Sequence, residues 1–182
     1  MLTNFPIYFV GRVLVVGIPM LLIPILTHAI SPEDYGLIGI FIAIYQILNI
    51  FIGLGGVGAV VRAYMDRNDN TFCFKEYLFN AILVNIFLFL LALTPFYIFY
   101  TFNIVSLPNS IMFLLPFIVI VSGFKKYKHK LWNIQGSAQK FTVFEVAFII
   151  LSFGLSVILV LTIFPDWRGR IYSIAFAEVV FC

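Results

Sequence analysis

The sequence predicts an all-helical, polytopic membrane protein, with about six transmembrane helices packed as one bundle and the last helix cut short. Three observations lead to that fold class. Of 182 residues, 63% are hydrophobic and 10% charged, with 22 Phe and 9 Tyr. A water-soluble domain of this size leaves roughly a third of its chain surface in solvent and has no interior for so much apolar area. The apolar residues also come in unbroken runs: Gly36 to Val61 contains no charge and as a helix reaches about 39 Å, more than the ~30 Å of bilayer hydrocarbon. Finally, the runs lack the alternation of barrel strands, and only helices and closed barrels satisfy their backbone groups in lipid.

The first span (TM1) is Phe5 to Ala29, interrupted by Arg12 and bent by Pro19 and Pro24. Thr27-His28-Ala29 imitates a signal-peptidase site, but no Lys or Arg precedes Phe5. The apolar stretch is also longer than the 7–15 residues of a signal h-region, so the segment is expected to stay as a helix. Ser31-Pro32-Glu33-Asp34 is a turn, and TM2 follows over 36–61. Its end, Gly53-Leu54-Gly55-Gly56-Val57-Gly58, fits the letters of a dinucleotide fingerprint, and Glu76 stands at a plausible distance downstream. The fingerprint requires a short strand before the glycines and an alternating βαβ unit, and this context supplies neither. Gly55 and Ala59 instead have the spacing that lets one membrane helix approach another closely.

After the polar segment Arg62 to Glu76, TM3 covers 77–102 and contains Asn80, Asn85 and Pro95. A turn at Asn103 leads to TM4 over 105–124, followed by a loop, Lys125 to Lys140, with five lysines and no acid. TM5 covers 141–164. Pro165-Asp166-Trp167-Arg168-Gly169-Arg170 then turns into TM6, 171–182. As a helix its 12 residues reach about 18 Å, too short to cross, so a chain cut within TM6 is expected.

Basic residues orient the chain. The N-terminal side collects eight (Arg62, Arg67, Lys75, Lys125, Lys126, Lys128, Lys130 and Lys140) and the opposite side two, Arg168 and Arg170. The N-terminus and the lysine block are therefore expected in the cytoplasm. The net charge of +3 is too small to argue for nucleic acid. Cys73 and Cys182 form no CxxC motif and have no histidine cluster beside them, so neither a metal nor a cofactor is expected.

Four segments, in order, resemble the polysaccharide biosynthesis family of membrane proteins. They are Leu26 to Leu37 (LTHAISPEDYGL), Leu54-Gly55 through Val60-Val61-Arg62, Asn133 to Phe141 (NIQGSAQKF), and Trp167-Arg168-Gly169-Arg170. The likeness is to the O-antigen type lipid-linked oligosaccharide flippases of the multidrug/oligosaccharidyl-lipid/polysaccharide exporter superfamily. It implies a MATE-like transporter fold of two bundles, of which this chain is the N-terminal lobe, with a C-terminal half as its missing partner. It also implies movement of a polyprenyl-pyrophosphate-linked glycan across the bacterial cytoplasmic membrane, without enzymatic chemistry and alongside the machinery that polymerises the polysaccharide.

Such a substrate is a double anion with a polar head and a greasy tail, so cations in a wet cavity are the expected site. Arg12, about 10 Å deep in TM1, is the first candidate and Arg62, after the glycines, the second. For Arg12 the alternative is snorkelling to the headgroups; for Arg62 it is an ordinary interfacial anchor. Glu145 lies at a depth similar to that of Arg12, which predicts that the two approach each other, as a structural ion pair or as a switch for which the anionic substrate competes. Glu178, about 12 Å from the outer face, is a candidate for a coupling ion. Gln46, Asn49, Asn80 and Asn85 are candidates for sugar contacts, with interhelical hydrogen bonding as the alternative. Lys125 to Lys130 with Trp132 fit an anionic-lipid contact. Three other functions compete: a drug exporter, which favours an acidic, aromatic cavity; a membrane glycan polymerase or transferase, which needs catalytic groups in larger loops than these; and a non-transporting fragment.

Overall fold

The computed structural model describes residues 5–53, 56–65, 74–102 and 108–182, which form seven helices and, among the described residues, no strand. In order they are α1 (Phe5–Ala29), α2 (Pro32–Gly53), α3 (Gly56–Met65), α4 (Phe74–Thr101), α5 (Asn109–Ile134), α6 (Ala138–Thr162) and α7 (Trp167–Val180). Among the described residues four helical stretches are long and apolar enough to cross a membrane: Pro6–Ala29, Pro32–Ile50, Asn109–Ile134 and Ala138–Thr162. The helical membrane protein expected from composition is the fold observed.

Local chemistry sets the helix ends. Thr27 Oγ1 and His28 Nδ1 both meet the Pro24 carbonyl, at 2.9 and 2.8 Å, in the last turn of α1. Ser31 then caps α2 reciprocally with Asp34: the Asp34 N–H donates to Ser31 Oγ at 3.2 Å, and Ser31 Oγ donates to Asp34 Oδ2 at 2.9 Å. Pro32, which has no N–H to lose, occupies the first helical position. At α7 the Asp166 side chain accepts from the Arg168 N–H at 2.8 Å.

The span expected over 36–61 is helical over Pro32–Gly53 and Gly56–Met65, with residues 54 and 55 outside the described residues. One expected boundary changes, the one after TM4. TM4, expected to stop at 124, continues as α5 through Ile134, so the lysine block is helix and not loop. Lys, Leu and Trp offer no break there; the chain turns only at Gly136, with φ of 69°, a conformation in which a Cβ is strained. Expectations placed on Gly55, Arg67, Cys73 and Asn103 lie outside the described residues.

The chain packs as two compact units, Met1–Ile42 with Gln135–Cys182, and Ala43–Ile134. In the first, α6 packs against both α1 and α7. The α1–α6 pair is close because Gly11 has no side chain: a Cβ there falls on the methyl of Thr142. Tyr8 and Phe141 meet edge-on beside it, with ring centroids 5.6 Å apart, so the N-terminal turns of both helices lie together. On the other flank, α7 runs back along α6. Gly169 lies against Val160, where a Cβ would come within 2.7 Å of Cγ2 and 2.8 Å of the Phe164 carbonyl oxygen. Phe181, at the far end of α7, stacks edge-on with Phe144 and Phe148 at 4.9 and 5.8 Å. In the second unit α3 packs on α4 and α5, and Ile111, Leu115, Ile118 and Val119 of α5 are fully buried.

Candidate functional site

Both units bury polar side chains inside apolar helices, and each does so around one cation. In the second unit the centre is Asn49 on α2, buried at 7% exposure. Its side-chain oxygen accepts from Ser122 Oγ at 2.8 Å and from Lys126 Nζ at 2.7 Å, and its amide nitrogen donates to the Tyr45 carbonyl at 3.0 Å. Ser122 and Lys126 present themselves together because they stand four residues apart on α5. The Ser122 hydroxyl also reaches the Val119 carbonyl at 2.9 Å, so its single proton is shared between two acceptors. Asn49 is uncharged, so it fixes the ammonium in place without cancelling its charge.

The neighbouring stripe of α5 carries Gly123 and Tyr127, which with Asn85 and Phe89 of α4 line a cavity of about 30 Å³. Asn85 and Tyr127 are both more than nine-tenths buried, at 7% and 8% exposure. Among the described residues neither Asn85 side-chain atom nor the Tyr127 hydroxyl has a hydrogen-bond partner.

In the first unit the cation is Arg170, 8% exposed. Its guanidinium lies 3.7 Å from the centre of the Phe153 ring and donates through one nitrogen to the Ser152 carbonyl at 3.2 Å and hydroxyl at 3.4 Å. A guanidinium, planar and more weakly hydrated than an ammonium, suits such stacking. Ser152 stands ten residues before the end of α6 at Thr162, about 15 Å along the helix and therefore near mid-bilayer depth. Ser156 of α6 and Ser173 of α7, fully buried, and Glu178 of α7, 3% exposed, add further buried polar groups to this unit.

The structure divides the residues singled out in the sequence. Asn49, Asn85 and Glu178 are buried; Gln46 and Asn80, although on the same helices as the first two, are exposed. Arg12 and Arg62 are exposed and Glu145 is half-buried. Among the described residues no ion pair joins Arg12 to Glu145, although α1 and α6 pack together. Arg12 adjoins Gly11, which meets Thr142, and stands four residues after Tyr8, which meets Phe141, yet its side chain is exposed.

Lys126 and Arg170, which turn inward, stand in the sequence among the interfacial charges at the ends of apolar runs. One signal was legible for Lys126: a serine four residues before it, inside an apolar run. For Arg170 there was none, because a long, flexible side chain can carry its charge well away from its backbone.

The polysaccharide biosynthesis protein family model matches residues 1–180 of the chain. No curated protein and no solved structure matches it.

Proposed function

Because this chain belongs to the polysaccharide biosynthesis protein family, we propose that it moves a polyprenyl-pyrophosphate-linked oligosaccharide from the inner to the outer leaflet of a bacterial cytoplasmic membrane. It acts as one lobe of a transporter and not as an enzyme, with its N-terminus and the lysine-rich end of α5 in the cytoplasm. One observation carries this reading: Lys126, at the lysine-rich end of a membrane-length helix, is drawn into the helix packing by the Asn49 oxygen at 2.7 Å.

A diphosphate entering a membrane protein needs positive charge where water is scarce, since a buried anion without a cation is costly. Lys126 is half-buried, so part of its charge is withdrawn from water at that end of the helix. An ammonium with three donors can be shared between a fixed amide oxygen and an incoming phosphate. The exposed lysines nearby, Lys128 and Lys130, support recruitment from an anionic leaflet; Lys128 also lies 5.4 Å over the Trp132 ring. Arg12 and Arg62, on the surfaces of their units, fit interfacial anchoring better than the first grip on the substrate.

The test is complementation by the full chain in cells whose surface polysaccharide depends on it. Lys126→Gln abolishes surface polysaccharide and accumulates the lipid-linked repeat unit on the cytoplasmic side, whereas Lys140→Gln, at an exposed lysine outside that cluster, leaves both unchanged. Wild-type export by Lys126→Gln would overturn the assignment.

A further inference from the structure

We propose that Asn85 and Tyr127 form a binding site for one water molecule, held between α4 and α5, that joins the two helices through hydrogen bonds the side chains do not make with each other. The cavity they line is about 30 Å³, room for a single water and for nothing of the size of a sugar ring. Its walls are otherwise apolar: Ile82, Ile86, Phe89 and Ile120 contribute no donor or acceptor.

The chemistry of the two side chains matches water and little else. Asn85 offers an acceptor oxygen and two donor hydrogens, and Tyr127 a hydroxyl that donates or accepts. A buried water makes two to four hydrogen bonds, and these groups supply that number. A hard cation would need six or more oxygens at this point, and the cavity offers two. A lipid methylene would fill the space but leave a buried amide and a phenol without partners, a desolvation cost that a water removes.

The position gives the water a consequence. On one stripe α5 is tethered to α2 through Ser122 and Lys126; on the next, through Tyr127 and the water, to α4. A water-mediated bond re-forms easily after small displacements, so α4 can shift against α5 while the Asn49 tether holds. Asn85 is therefore a mediator between helices and not a sugar ligand.

Radiolytic labelling of the full chain in lipid nanodiscs, in ¹⁸O-water, tests this. Hydroxyl radicals born at the site place ¹⁸O on Tyr127 despite its burial. Asn85→Leu reduces that label several-fold and lowers the thermal midpoint by about 2 to 4 °C, because a water loses its main partner. In a dry cavity Tyr127 stays unlabelled in the wild type, and Asn85→Leu raises the midpoint by removing a bare buried amide. Either result, or a label unchanged in Asn85→Leu, overturns the proposal. The wild-type label decides the question even if the variant does not fold.

Discussion

The Lys126 ammonium donates to the side-chain oxygen of Asn49 at 2.7 Å, across 77 residues of sequence. The same oxygen also takes the Ser122 hydroxyl. One neutral amide thus sets where a positive charge stands inside a set of apolar helices, and its removal and its ionisation act differently on fold and function.

Asn49→Leu removes the shared acceptor and leaves a buried hydroxyl and an ammonium to find other partners. The expected loss is about 1–3 kcal/mol, seen as a lower thermal midpoint in detergent. An unchanged midpoint would mean that the three groups repack at no cost.

Asn49→Asp keeps an acceptor in the same place and adds a charge. The bond to Lys126, already assisted by the ammonium charge, becomes an ion pair, which offsets the lost donation to the Tyr45 carbonyl, so the protein folds about as well as the wild type. Export falls nevertheless, because the carboxylate cancels the charge that the substrate needs. A stable Asn49→Asp chain with full surface polysaccharide would contradict the role given to Lys126.

At Arg170 the ring contact matters more than the serine side chain. Phe153→Leu takes away a desolvated cation–π contact at 3.7 Å, with an expected cost of about 2 kcal/mol. Ser152→Ala leaves the carbonyl bond at 3.2 Å intact and removes only the longer one; its cost is under about 1 kcal/mol. Arg170→Lys keeps the charge but loses the planar stack, and behaves like Phe153→Leu. Thermal unfolding of the three variants gives the order.

The glycines separate into two kinds. Gly17→Ala meets nothing within 4 Å and is expected to gain up to about 1 kcal/mol from helix propensity. Gly11→Ala strikes the Thr142 methyl and costs about 1–3 kcal/mol; Thr142→Ser, which deletes that methyl, restores most of it. Gly169→Ala strikes the Phe164 carbonyl as well as Val160, and no side-chain change rescues it. A double-mutant cycle on each pair distinguishes a movable neighbour from a fixed one.

Helices, their turns and the membrane as their solvent were all legible in the sequence, because long apolar runs and the Ser31-Pro32 and Pro165-Asp166 punctuation are local signals. The inward direction of each helix was not. A helix apolar nearly all round, as α4 and α6 are, has no stripe from which a buried face can be read. Only packing turned Asn49 inward and Gln46 outward, Asn85 inward and Asn80 outward. The cations followed the same rule. Sequence position placed Arg12 deep and Arg62, Lys126 and Arg170 at the edges, while side-chain length and the partners Asn49 and Phe153 bring Lys126 and Arg170 into the packing and Arg12 stays exposed. Solvent class is a sum over composition, and one chain suffices to compute it. Which polar atoms meet depends on helix rotation and side-chain reach, and these are fixed only when the helices pack.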